Sequence, residues 1–262
     1  MKKFTKILLI GCLLVTVSCN NWLDVEPKSQ VKDKDLFASE MGFKEALSGV
    51  YSLMTKEALY GKELTFGWLG VLGQEWTSVP YNYEDDQKYD FENAASEVRI
   101  DSVWTGLYNA IANANKLLKE LEGKENLFSG DNYFIIKGEV LALRAYLHFD
   151  LLRIFGASCT VGMERIAIPY VTEYAPTIFP QEKVGDFVGK VLNDLQDAAK
   201  CLENDPILTG RTVSEIDDNG YLMNRQVHLN YYAVKGLMAR VYLYKGDYAN
   251  AEVCAKEVIG SG

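Results

Sequence analysis

The chain has 262 residues, 48% of them hydrophobic, enough to bury one large core or two small ones. Its formal net charge of −9 excludes a nucleic-acid binder, because phosphates demand a basic surface. Sixteen tyrosines and four tryptophans make it aromatic-rich, and these residues are unevenly spread.

Lys2, Lys3 and Lys6 precede an apolar run from Ile7 to Val17, which is short for spanning a bilayer. Small residues then lead into Cys19 and the polar pair Asn20-Asn21. The pattern predicts a lipoprotein signal peptide over residues 1–18, with Cys19 acylated as the first mature residue. Plain secretion is the alternative. Leu9-Ile10-Gly11-Cys12 fits the short cleavage pattern better, since Thr16 stands where leucine is usual before Cys19. Cleavage there, however, leaves an apolar run of only a few residues. Cys159, Cys201 and Cys254 form an odd set without C-x-x-C spacing, which points to buried thiols rather than disulfides or a metal site.

Residues 19–34, with Pro27, read as a polar tether, and 35–262 as a helical domain. Asp35 to Thr55 is predicted to hold the first helix, with Ser39 as its N-cap and Phe43, Leu47, Val50, Tyr51 and Met54 as its apolar stripe. From Tyr60 to Phe91 the helical period disappears. Four glycines, Pro80 and eight aromatic residues fall in this stretch, which predicts a long irregular loop with short strand-like pieces. Its aromatic content argues against disorder, and loops of this length in compact domains carry function.

Ser96 to Glu122 predicts a second long helix, with Val103, Leu107, Ala110, Ala114 and Leu117 on one side. Gly130-Asp131 supplies a turn and an N-cap into a central helix. Within Lys137–Gly156, Val140, Leu143, Leu147, Leu151 and Ile154 share one face. Leu141, Ala145, Phe149 and Leu152 share another, nearly opposite, and Glu139, Tyr146, Asp150 and Arg153 lie on a narrow strip between. A helix apolar on two sides must be packed on two sides, so this one is internal. Arg144 and His148 sit one turn apart on the other border. They are either a ligand pair or a core-edge arginine paired with a neighbouring carboxylate beside a satisfied histidine. The cost of burying an unpaired arginine favours the second reading. Gly156 stands at the C-cap position.

Ala157 to Pro180, with three prolines, predicts an extended surface connection. Val184 to Leu202 predicts an amphipathic helix on Phe187, Val191, Leu195 and Ala198. Asn204 to Arg225 reads as a polar loop with a turn at Asp217–Gly220. His228–Lys245 and Tyr248–Ile259 form a helical hairpin around Gly246-Asp247. Arg144-Ala145-Tyr146-Leu147 matches Arg240-Val241-Tyr242-Leu243, and Met238, Ala239, Tyr242, Gly246, Tyr248 and Ala251 fall at tetratricopeptide-like spacings. The predicted fold class is all-α, with tetratricopeptide-like helix pairs carrying a long aromatic-rich irregular loop.

That loop supplies the candidate ligand site: Trp68, Trp76, Tyr81, Asn82 and Tyr83. Flat aromatic side chains cover the apolar C–H faces of sugar rings, while amides and carboxylates such as Asn82, Glu84 and Asp85 fix hydroxyls. The competing reading for each aromatic is a core plug beneath the loop. No H-E-x-x-H, G-x-S-x-G, phosphate loop or dinucleotide fingerprint occurs. Thirty-six acidic residues single out no carboxylate pair for glycoside hydrolysis. No catalytic residue, metal or cofactor is therefore expected. Glu84-Asp85-Asp86 reads as a solvated acidic loop rather than a calcium site, and the Asp217–Gly220 turn lacks the other ligands of a calcium loop.

Several segments together resemble the RagB/SusD family of Bacteroidetes outer-membrane nutrient-binding lipoproteins. They are Cys19 followed by Trp22-Leu23-Asp24-Val25-Glu26-Pro27; Ala46-Leu47-Ser48-Gly49-Val50-Tyr51; Trp104 to Ile111 with Ala114-Asn115; Gly138 through Gly156; and Ala239 to Ala249. The resemblance implies a tetratricopeptide-bearing helical fold, lipid-anchored in the outer membrane and facing outward. It implies capture of a glycan, or sometimes a peptide, for a TonB-dependent (SusC-like) transporter, without catalysis. The alternative is a helical-repeat protein–protein adaptor lipoprotein with no small ligand. Family members continue for a comparable length beyond the matched half. The resemblance therefore also implies a domain incomplete at its C-terminus, with a ligand site drawn from both halves.

Overall fold

The computed structural model describes residues 33–209 and 220–261. The leader, Cys19, the tether up to residue 32 and the Asp217–Asn219 part of the predicted turn lie outside them. Asp33–Leu36 forms one helical turn.

Helix α1 spans Glu40–Met54 and begins directly after Ser39, the predicted N-cap. The cause is local: Ser39 is extended, and its hydroxyl accepts from the Gly42 amide at 3.3 Å, which fixes the helix start. Helix α2, Ala94–Leu121, begins two residues earlier than predicted for the same kind of reason. Asn93 Oδ1 accepts from the amides of Ala95 and Ser96, both at 3.0 Å.

Helix α3, Asn132–Phe155, packs against α2 and against α4, Val184–Cys201. Eighteen of its 24 residues are buried, as two apolar faces require. Gly156 ends it, but not as a left-handed cap: φ is −102° and ψ 169°. Glycine is needed there for space, because a Cβ would sit 2.6 Å from Leu152 Cδ1. Asp131 stands at the N-cap position without capping the helix; its carboxylate accepts from Asn204 Nδ2 at 3.2 Å. The C-terminal hairpin pairs α5, Tyr231–Lys245, with α6, Tyr248–Ile259. Gly246 closes α5 at φ 82°, a left-handed value that favours glycine, and Asp247 caps α6 through the Asn250 amide.

Two connections differ from expectation. Ala157–Pro180 does not simply run over the surface. Ile166–Pro169 (β1) pairs antiparallel with Gln181–Lys183 (β2), and Ala167, Ile168 and Tyr170 are buried. The polar stretch Asn204–Arg225 has both ends in the core. Asp205 and Arg225 are buried, joined through Nε–Oδ1 at 2.9 Å and Nη2–Oδ2 at 2.7 Å, and Arg225 Nη1 also bonds buried Glu139 of α3.

Arg144 and His148 take the structural reading. Arg144 donates to Asp194 of α4 through Nε at 2.7 Å and Nη2 at 2.6 Å, and to Asn115 of α2 through Nη1 at 3.1 Å. His148 Nε2 accepts from the Val171 amide at 2.9 Å, so Nδ1 carries the proton and donates to the Arg144 carbonyl at 2.9 Å. Burial pulls this imidazole's pKa down from 6.5 to about 3. Between those values only the unfolded chain takes the extra proton. Stability is therefore lost as pH falls from 6.5 toward 3, and His148 has no such effect above 6.5. The expected slope within that window is about 1.4 kcal/mol per pH unit. Urea denaturation between about pH 7 and pH 5, run on the parent and on His148→Gln, checks it; equal slopes in the two proteins would refute the assignment.

Candidate functional site

The segment from Tyr60 to Phe91 contains no strand. It is built from helical turns at Trp68–Leu72, Tyr81–Tyr83 and Glu84–Gln87. Strand-like pieces would need a partner edge, whereas this backbone finds its partners nearby. Gly67 N bonds Lys62 O at 2.8 Å, Leu69 N bonds Glu63 O at 2.9 Å, and the Glu63 carboxylate accepts from Trp68 N at 2.9 Å.

Two buried acids and one arginine hold the loop from within. Glu63 Oε1 accepts from the Tyr83 hydroxyl at 2.7 Å. Asp86 is buried and accepts from Trp68 Nε1 at 3.0 Å and from Arg99 Nη1 of α2. Arg99 Nη2 also donates to the Asn82 carbonyl at 3.0 Å, and its guanidinium lies 4.0 Å from the Tyr83 ring centroid. Burial and the Glu63 carboxylate raise the pKa of Tyr83, so its hydroxyl stays a donor. Glu63 and Arg99 were not singled out from the sequence, and Asp86 was read as solvated. A run of three acids does not reveal which one turns inward.

The five predicted ligand residues separate into two levels. Trp68 and Tyr83 are buried, at 3% and 5% exposure. Trp76, Tyr81 and Asn82 are exposed, Tyr81 at 86% and Trp76 at 45%. Trp76 is nevertheless tied down. Its indole donates to the Phe66 carbonyl at 3.1 Å, and its own carbonyl accepts from Gln87 Nε2 at 3.2 Å. Gly70 makes room for it, since a Cβ there would lie 2.8 Å from Trp76 Nε1. Phe66, exposed at 60%, adds an aromatic that the sequence reading did not choose. Phe66, Trp76 and Tyr81 thus expose flat aromatic faces along this segment, and Asn82 an amide.

Among the described residues, no group of three His, Cys, Asp or Glu side chains is placed to hold a metal ion. No helix among them is long and apolar enough to cross a membrane.

Comparison with known proteins is consistent along the chain. A family model described as "Starch-binding associating with outer membrane" matches residues 21–243. SusD-like protein P38 of Formosa agariphila is 24% identical over 266 residues, covering 100% of this chain and 47% of its own length. SusD-like protein P2 of the same organism is 26% identical over 167 residues, covering 60% of this chain and 30% of its own. The chain thus spans less than half the length of these relatives. Among solved structures, a SusD-like carbohydrate binding protein from Bacteroides vulgatus superposes with a TM-score of 0.66 at 16% identity, over 85% of this chain and 45% of its own. A laminarin binding SusD-like protein superposes with a TM-score of 0.61 at 22% identity, over 85% and 44%. At such identities these structures establish the fold. With the family model matching residues 21–243, most of this chain, the chain belongs to the SusD-like family.

Proposed function

We propose that this chain is the helical, aromatic-bearing part of a surface lipoprotein that captures a glycan and delivers it to a TonB-dependent transporter without catalysis. The observation that carries the reading is Trp76, an exposed indole fixed by hydrogen bonds at its ring nitrogen and its own carbonyl. A ring held still in solvent loses little entropy when a sugar stacks on it. Trp76, Tyr81 and Asn82 take the ligand, while Trp68 and Tyr83 hold the surface from below. The lipid anchor is Cys19, and the protein faces outward from the outer membrane.

Calorimetric titration with laminarin and starch oligosaccharides tests the site. Trp76→Ala is expected to weaken the binding of whichever glycan binds by about tenfold, with Tyr81→Ala adding to the loss. Unchanged affinity in both variants sinks the reading. A chain that docks on the transporter yet binds neither saccharide nor peptide would instead be an adaptor.

A further inference from the structure

A cleft of about 570 Å³ lies between the loop and the C-terminal end of α3. Leu64, Leu69, Leu72, Ile100, Ile154 and Phe155 give it an apolar wall. Its polar end is Tyr60, Asp150, Arg153 and Arg240. Of the five predicted ligand residues only the buried Trp68 lines it; the exposed Trp76, Tyr81 and Asn82 do not.

The charges at the polar end do not balance. Asp150 is 7% exposed and already occupied: Oδ2 accepts from the Tyr60 hydroxyl at 2.9 Å. Its Oδ1 lies 3.3 Å from Arg153 Nη1 and 3.6 Å from Arg240 Nη2. Both guanidiniums also rest on the Phe149 ring, 5.8 and 5.6 Å from its centroid. Two cations therefore share one carboxylate. Each guanidinium carries five N–H donors, and among the described residues Asp150 is the only hydrogen-bond or ion-pair partner of either. Their side chains are 44% and 47% exposed, so the remaining donors are accessible.

Surplus positive charge beside an apolar wall, in a chain of net charge −9, selects for an anion with an apolar body. The volume and lining are those of a small-molecule site. We propose that this cleft binds an amphipathic organic monocarboxylate. The acid group sits between Arg153 and Arg240, and the body lies against Leu69, Ile100 and Phe155. Arginine suits this role because its planar fork matches a carboxylate. The inference stands apart from glycan capture and does not need it.

Calorimetric titration of the purified chain with 1-naphthoate and with decanoate tests this, one acid offering an aromatic body and the other an aliphatic one. At least one acid is expected to bind saturably and about tenfold more tightly than its own amide. The single variants Arg153→Gln and Arg240→Gln, each of which leaves buried Asp150 one cation, should weaken binding, and the double variant should lose about tenfold; the double variant also melts lower, so affinity is read on folded protein well below its melting temperature. Trp76→Ala should bind the acid like the parent, which separates this site from the rim. The proposal is overturned if neither acid binds, if amides bind as tightly as acids, or if the double variant binds like the parent.

Discussion

Replacing Arg225 with alanine is expected to lower the free energy of unfolding by about 3–5 kcal/mol, read as a reduced urea midpoint at an unchanged slope. The size of the effect comes from what is left behind. Arg225 neutralises two carboxylates that water does not reach, Asp205 and Glu139, both at 0% exposure. Glu139 would keep the Tyr51 hydroxyl at 2.6 Å and His228 Nδ1 at 3.2 Å. Asp205 would keep the amides of Ile207 at 3.0 Å and Tyr231 at 3.3 Å. None of the hydroxyl and amide donors is a full counter-charge, so both acids would be left buried without one. A midpoint within error of the parent's at neutral pH would show that the network contributes little.

Asp194→Ala is expected to be comparably damaging, again about 3–5 kcal/mol, with the opposite charge orphaned. Asp194 receives two bonds from Arg144 and one from the Tyr170 hydroxyl at 2.5 Å. It keeps the buried guanidinium charged against the desolvation that would lower its pKa. Tyr170 in turn stacks on His148, ring centroids 4.0 Å apart, so one carboxylate joins α3, α4 and the strand connection. Asp194→Asn retains an acceptor of the same shape and should lose less. Neither Arg144 nor Asp194 hydrogen-bonds to the loop from Tyr60 to Phe91, so glycan affinity of the folded fraction should not change. Thermal melts of both variants, with calorimetry on the folded material, check the ranking; alanine and asparagine variants of equal stability would contradict it.

Helices were legible because their signals are local. The double apolar face of α3, the stripe on α4 and the Gly246-Asp247 break between α5 and α6 all depend on neighbours within a turn or two. Ser39 was legible as the cap that starts α1, whereas the start of α2 shifted by two residues to Ala94 because Asn93 supplies its cap. The carboxylate partner of Arg144 was expected as a type, from the cost of burying an arginine, but its identity was not, because Asp194 lies 50 residues away. The strand pair formed by Ile166–Pro169 and Gln181–Lys183 was missed, since three prolines nearby read as punctuation rather than as the flanks of a buried segment.

The amino-acid sequence alone determined a helical chain with one aromatic-rich interruption, because helix periodicity and loop composition are short-range properties. Tertiary structure alone decided which loop aromatics face solvent. Trp68 and Tyr83 turn inward because Asp86 and Glu63 await them there, while Trp76 and Tyr81 remain outside. It also decided that Arg153 and Arg240, from helices far apart in the chain, share a single carboxylate. Burial and charge balance are sums over groups brought together from distant positions, and such sums have no signature in a local pattern of residues.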